Sequence, residues 1–283
     1  MDFLIEEIYK ELVENHPSVD RIIPVERPIK PSALLKYGIW LRKEEYDVVL
    51  DLQSNGKTGF ISWLTGARRR YGLATGTKFF YTRWTPKRLT DNSHHVENQF
   101  QLLRLLGIEE APGQLQFPQS GKSNLSPEGD FVVIHPIFHD SKRNLGVEKW
   151  KAIVKFIKSK GMETVLVGTA AEKSFIDLLE EGINLAGKLS LTELRNLIAA
   201  AKLFVGMDSG PMHLAATTST PIIAIFGAGP SSWYRPWREE KVVIIEKNPP
   251  CKPCPIRKPC PYEKPFCLEI TLEEIKAAIE KFL

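Results

Sequence analysis

Asp208, Ser209, Gly210 and His213 lie together in the stretch Leu203 to Trp237, LFVGMDSGPMHLAATTSTPIIAIFGAGPSSWYRPW. An apolar run, Leu203 to Met207, leads into them and reads as a buried strand bounded by a turn. Pro211 needs no backbone donor, so a helix can begin there. The first N–H groups of such a helix are unpaired and carry partial positive charge, which favours an anion, typically phosphate. Ser209 adds a hydroxyl, His213 stands one turn further in, and Gly210 lets a ligand come close to the backbone. A second apolar run, Ile222 to Phe226, ends at Gly227-Ala228-Gly229, another small-residue loop at a strand end. The plainer alternative is that Asp208 and Ser209 only cap the helix and that His213 is a satisfied core histidine. Two Gly-bearing turns at strand ends, taken together with these side chains, favour the anion site.

Other residues could join that chemistry. Lys142 and Arg143 follow the strand Phe131 to Pro136 closely enough to reach a diphosphate, with plain surface charge as the rival reading. Glu172 follows the strand Glu163 to Gly168, where an acid can accept bonds from ribose hydroxyls; a helix-surface acid is the alternative. All four cysteines, Cys251, Cys254, Cys260 and Cys267, fall in the run CKPCPIRKPCPYEKPFC. Four thiolates can hold zinc, but this is not the paired C-x-x-C pattern, so no metal is expected; disulfides or inert thiols are the other options. Arg68-Arg69-Arg70, Lys78, Arg83, Lys87 and Arg88 are interleaved with Phe79, Phe80, Tyr81 and Trp84. That pattern suits nucleic acid, an anionic sugar or phosphate acceptor, or anionic lipid, and a solvated loop is the simpler reading of any one residue. His94 and His95 are adjacent and so do not share a helix face, which argues against a metal pair.

The positioning elements alternate. Phe3 to Ile5 is a short apolar run and Glu6 to Asn15 has helical spacing; Ile22 to Val25 and Tyr46 to Gln53 read as strands, with helices from Pro31 to about Lys43 and from Gly56 to Leu64. Val96 to Leu106, Val147 to Lys160, Ser190 to Ala201 and Thr271 to Leu283 read as further helices, the third opening with the capping form S-x-x-E. Strand and helix in alternation imply parallel sheets covered on both faces. The 283 residues suit two domains, and Ala111 to Asp130, rich in Pro, Gly and Ser, reads as the linker between them. Hydrophobic content of 43% with 25% charged residues is globular, and a net charge of +4 is too mild to demand nucleic acid. No apolar run approaches a membrane span and no secretory leader is legible, so a cytoplasmic protein is expected.

The order DSGPMHLAA, a TP-bearing strand, then FG and a Pro-bearing loop resembles the heptosyltransferases of glycosyltransferase family 9. YDVVLDLQ with Gly56-Lys57-Thr58, LTGARRRYG, HHVENQFQLLRLLGI, VVIHP with SKR, and the cysteine run before ITLEE are similar to that family too, nearest its second type. The resemblance implies a GT-B fold, two Rossmann-like domains facing across a cleft, with residues 1–120 on the acceptor side and 121–270 on the donor side. The last helix, 271–283, is a candidate to pack on the first domain. It implies an inverting transfer of heptose from ADP-heptose to the lipopolysaccharide inner core, with no cofactor and no nucleic-acid partner, and with peripheral contact at the inner membrane open. Carried over by position, Asp208, Ser209, Gly210, His213 and Lys142 fall on the donor phosphates, with His213 and Lys142 stabilising the leaving group. Glu172 and Leu189 fall where ribose and adenine are held, and Lys57 and Arg69 on the acceptor side. One departure stands out. Family members open with a strand and an R-x-S-x-x-G-D loop whose Asp is the expected base; the first domain here begins at the family's second strand, and Asp51 and Asp91 are weak substitutes. A transferase using another nucleotide sugar, or a nucleotide-binding protein without catalysis, are the alternatives; a dinucleotide oxidoreductase lacks its G-x-G-x-x-G.

Overall fold

The computed structural model describes residues 1–74, 76–86, 92–110, 113–117, 121, 123–137, 144–254, 260, 262 and 265–283. Lys142, Asp91, Lys87 and Arg88 therefore lie outside the described residues. The chain divides into two compact units: Phe3–Ile8 with Ile23–Pro112, and Met1–Asp2, Tyr9–Ile22 with Gly113–Leu283.

The second unit is built on one six-stranded parallel sheet. Its strands are β6 (Phe131–His135), β7 (Glu163–Leu166), β8 (Ile183–Asn184), β9 (Leu203–Met207), β10 (Ile222–Phe226) and β11 (Val242–Glu246), in the order β11-β10-β9-β6-β7-β8. Every residue of β6, β9 and β10 is buried, as expected of near-continuous apolar runs at the centre of a parallel sheet. The alternation of side chains splits them between two cores. Val132, Ile134, Val205, Met207, Ile223 and Ile225 face one, and Phe131, Val133, Phe204, Ile222, Ala224 and Phe226 face the other. The helices α4 (Val147–Ser159), α5 (Lys173–Asp177), α6 (Leu191–Ala200), α7 (Gly210–Ala215), α8 (Ser231–Tyr234) and α9 (Leu272–Ile279) complete the unit. On α4, Trp150, Ile153, Val154 and Ile157 are buried at a spacing that puts them on one stripe.

Two boundaries differ from the sequence expectation. Residues from Gly113 onward belong with the second unit, because Phe117 packs on its core and the Gly121 N–H donates to Asn196 Oδ1 at 3.2 Å. The last helix, expected against the first domain, instead packs on α4 and β11: Ile275, Ala278 and Ile279 join the core around Trp150, and Lys149 Nζ donates to the Ile270 carbonyl at 2.6 Å. The segment expected to be a helix from Glu6 to Asn15 is a 3-10 turn over Glu7–Leu12, with Leu12 packed on the second unit's core and Glu11 accepting the Thr192 N–H.

The first unit holds α1 (Pro31–Arg42), α2 (Gly56–Leu64) and α3 (His95–Arg104), and the parallel sheet β3 (Val48–Asp51), β4 (Arg69–Ala74) and β5 (Arg83–Pro86). Strands β1 (Asp2–Glu6) and β2 (Arg21–Val25) pair as a separate two-stranded sheet. No strand among the described residues joins the two sheets, where one sheet was expected. Ile23, Leu41 and Ile61 form one small core, and Tyr71, Leu73 and Leu102 another.

Candidate functional site

In a doubly wound sheet, a crevice opens at the carboxyl ends of the two strands where the winding reverses. Here those strands are β6 and β9, paired so that Ile134 meets Val205 and His135 meets Gly206. The loop Asp208-Ser209-Gly210 leaves β9 at that point, and His135 is the last residue of β6. The strand pairing thus brings together residues 74 apart in sequence: Ser209 Oγ lies 2.9 Å from His135 Nδ1.

Ser209 sits at the cap position of α7 yet makes no side-chain cap bond, so the plain capping reading does not hold for it. Its hydroxyl lies 2.9 Å from the Met207 carbonyl as well as beside His135. A hydroxyl has one proton, so a bond donated to Met207 leaves Oγ to accept from the His135 ring. On the other side of that ring, Nε2 lies 3.6 Å from Glu172 Oε2, an ion-pair distance rather than a hydrogen bond. Glu172 also accepts the Thr169 N–H at 2.6 Å. The His135 ring is the main reason the Glu172 carboxyl is held down at about 2; burial opposes it and Thr169 adds to it. A chain Ser209–His135–Glu172 therefore spans the carboxyl ends of β9, β6 and β7. His135 was not singled out from the sequence, since a lone histidine closing an apolar strand carries no sign of a partner so far along the chain.

Gly210 is exposed, and a Cβ placed on it would meet nothing within 4 Å. The backbone there opens onto free space. At Gly229 a Cβ would come 2.9 Å from Asp208 Oδ2, so the loop after β10 needs glycine to close over that carboxylate. Behind it lies a buried pair: Lys252 Nζ donates to Glu246, which also accepts from the Ser231 N–H at 2.9 Å. Burial pushes the Asp208 carboxyl up to about 7, with nearby Lys252 opposing and Glu246 reinforcing the rise. This predicts a pH signature. Between about pH 4, where an unfolded Asp titrates, and about pH 7, native Asp208 holds a proton that the unfolded chain releases. The residue therefore makes stability fall as pH rises through that window and adds no further slope above it. Asp208→Asn should gain unfolding free energy relative to the parent progressively from pH 4 to 7, then hold a constant difference. Parallel pH profiles in urea titrations would contradict the assignment.

The remaining expected donor residues are placed as follows. Leu189, half-buried against the core beside α6, follows a segment tied to the end of β7 by the Gly187 N–H to Gly168 carbonyl bond at 2.8 Å. His213 is half-buried on α7. In the first unit, Lys57 is exposed at the start of α2, just past the carboxyl end of β3, and its Nζ reaches the Ile29 carbonyl at 3.4 Å. Arg69 is exposed at the amino end of β4, opposite Val48. The two therefore stand at opposite ends of the same parallel sheet and are not brought together. Asp51, weighed as a substitute base, is 6% exposed and accepts the N–H groups of Gln53 and Ser54 and the Tyr81 hydroxyl at 2.8 Å. Its carboxylate is committed to that turn, and burial beside it raises the Tyr81 phenol well above its ordinary range.

The four cysteines form no disulfide; Cys251 is exposed and the others are half-buried. Among the described residues, no group of three or more His, Cys, Asp or Glu side chains is placed to hold a metal ion. Burial, reinforced by the other three thiols, raises the Cys267 thiol. A separate recess of about 460 Å³, lined by Thr218, Arg235, Trp237 and Arg238, lies at the amino ends of β10 and β11, away from the Asp208 loop. Arg238 is already committed there to the Thr218 and Thr220 carbonyls.

The sequence profile of glycosyltransferase family 9 (heptosyltransferase) matches residues 34–265. Lipopolysaccharide heptosyltransferase 3 of Escherichia coli K12 is 26% identical over 266 residues, covering 86% of this chain and 76% of that protein. Among solved structures, a glycosyl transferase of family 9 from Veillonella parvula superposes with a TM-score of 0.84 at 19% identity, over 99% of this chain and 87% of the other. E. coli heptosyltransferase WaaC with ADP superposes with a TM-score of 0.73 at 20% identity, over 100% and 90%. Long sequence matches of this kind run to types 3 and 1, so the second type that the sequence resembled most is not singled out.

Proposed function

The chain belongs to glycosyltransferase family 9 (heptosyltransferase), and from that premise we propose that it moves heptose from ADP-heptose to the lipopolysaccharide inner core by a single inverting displacement. The observation that carries this reading is the loop Ser209-Gly210, uncapped and open at the reversal of the sheet, with the Ser209–His135–Glu172 chain beside it. Donor phosphates fit the backbone N–H groups at the start of α7, and Glu172 and Leu189 flank the place for ribose and adenine. Lys142, seven residues beyond the end of β6 in sequence, and His213 would complete the charge-bearing set. The acceptor would meet Lys57 at the carboxyl end of β3, the end at which open parallel sheets bind ligands; Arg69, at the other end, has less claim to it. Support for ADP as the nucleotide comes from the similarity to the WaaC structure determined with it.

In the displacement, the acceptor hydroxyl loses a proton, its oxygen attacks the anomeric carbon, and ADP leaves with the electron pair of the broken bond. The larger task for this chain is to hold the negative charge that collects on the leaving diphosphate. Asp51 has little claim to the role of base, since it is buried and its carboxylate already accepts from Gln53, Ser54 and Tyr81.

Calorimetry with ADP, UDP and NAD tests the reading. We expect ADP to bind at least about tenfold tighter than either other nucleotide, a gap of about 1.4 kcal/mol. A preference for UDP would move the protein to another nucleotide sugar. ADP binding without turnover of ADP-heptose on an inner-core acceptor would make it a nucleotide-binding protein without catalysis.

A further inference from the structure

β6 is apolar from Phe131 to Ile134 and ends on His135, which is 4% exposed. A buried imidazole needs partners for its nitrogens, and the apolar residues of β6 offer none. Both partners come instead from segments beyond the carboxyl ends of the two flanking strands. Ser209 stands two residues past the end of β9, with Oγ 2.9 Å from His135 Nδ1. Glu172 stands six residues past the end of β7, with Oε2 3.6 Å from His135 Nε2. The ring thus lies between the loop proposed to hold the diphosphate and the acid proposed to hold the ribose. A Cβ on Gly168 would come 2.9 Å from Glu172 Oε2, so the glycine lets the carboxylate lie back against the end of β7. Glu172 closes a reciprocal capping box with Thr169, yet its side chain keeps 23% of its surface exposed, enough to meet a ligand.

On the reading of this crevice as the donor site, we infer that His135 is a positioning residue. Through its two nitrogens it holds the Glu172 carboxylate and the Ser209 hydroxyl in place together, so that ribose and diphosphate are recognised as one unit. With its side chain 5% exposed, the ring acts through these two residues rather than on the nucleotide itself. With the Ser209 proton given to the Met207 carbonyl at 2.9 Å, both ring nitrogens face oxygen acceptors, and a proton on each satisfies them. The Glu172 carboxyl is held down at about 2, chiefly by this ring, so it stays a pure acceptor, as ribose hydroxyls require. The 3.6 Å gap between Nε2 and Oε2 is longer than a hydrogen bond, and contacts of this kind tighten when ligand fills a site. Serine, histidine and an acid also make up hydrolase triads, in which the histidine takes the serine proton. Here that proton has an acceptor in Met207, so the set is arranged to hold rather than to attack.

Calorimetry of the full chain with ADP and with 2′,3′-dideoxy-ADP, which lacks both ribose hydroxyls, tests this role. The parent should bind ADP at least about tenfold tighter than the dideoxy form, the scale of hydrogen bonds to a charged acceptor. His135→Asn keeps a nitrogen where Nδ1 stands and loses Nε2. It should cut that preference to about threefold or less while changing the affinity for dideoxy-ADP by less than about threefold. His135→Gln returns a nitrogen to the place of Nε2 and should restore a preference of about tenfold. A role in the scaffold alone would weaken both nucleotides alike in both variants and would overturn the assignment. A folded His135→Asn that keeps the parent's preference overturns it too, and leaves the donor reading standing. A parent that does not bind ADP removes this role together with the donor reading. Should neither variant fold, crystals of the parent with ADP decide. There Nε2 and Oε2 should close from 3.6 Å to about 3.2 Å or less, with a ribose hydroxyl on the other Glu172 oxygen. Ribose on Glu172 with the ring pair still at 3.6 Å or wider overturns the role.

Discussion

Gly210→Ala should leave the protein at least as stable as the parent while weakening ADP binding by about tenfold or more. The two halves of this expectation rest on separate facts. Nothing stands within 4 Å of the position a methyl group would take, and Gly210 is not among the glycines with positive φ. Alanine is the better helix former, so urea unfolding should show no loss and a gain of up to about 1 kcal/mol. The same methyl would project into the space where the diphosphate must approach the backbone of α7. A scaffold glycine would give the opposite pattern, with a cost in stability and none in binding. If Gly210→Ala binds ADP as the parent does, the anion does not sit on this loop.

His213→Ala should lower kcat by about two to three orders of magnitude, the range seen when one preorganised donor to a developing charge is removed. Stability should change by no more than about 1 kcal/mol, since the residue is only half-buried on a six-residue helix. Charge on the diphosphate grows as the glycosidic bond breaks, so a donor aimed at it acts most strongly in the transition state and less in the bound donor. The loss should therefore appear chiefly in kcat, with donor KM rising less. Lys142→Ala carries the same expectation for the same reason. A His213→Ala enzyme whose kcat falls by less than about threefold would remove His213 from the leaving-group machinery.

The scaffold was legible where local physics decides it. The apolar runs of β6, β9 and β10 are continuous because both faces of a central parallel strand are buried. The S-x-x-E before α6 folds into a reciprocal capping box between Ser190 and Glu193, a device complete within four residues. What failed was decided by packing between distant segments. Nothing near Ser209 in sequence announces that its hydroxyl turns to His135, a residue on a strand that becomes its neighbour only through the crossover from β6 to β9. The last helix has the amphipathic pattern of any surface helix, and the pattern does not say which core its Ile275 and Ile279 will enter. Lys57 and Arg69 are both placed on the acceptor side by the family resemblance, which does not say at which end of a strand each stands. A strand runs in one direction, however, and it sets them at opposite ends of the sheet.

The donor loop is the center of the functional account, and a crystal structure of the chain soaked with ADP examines it without inference. Diphosphate oxygens should lie within about 3.2 Å of the Gly210 backbone N–H, at hydrogen-bond distance, with ribose toward Glu172. ADP bound at the recess beside Trp237, or a Gly210 N–H turned into protein with the nucleotide elsewhere, would contradict it.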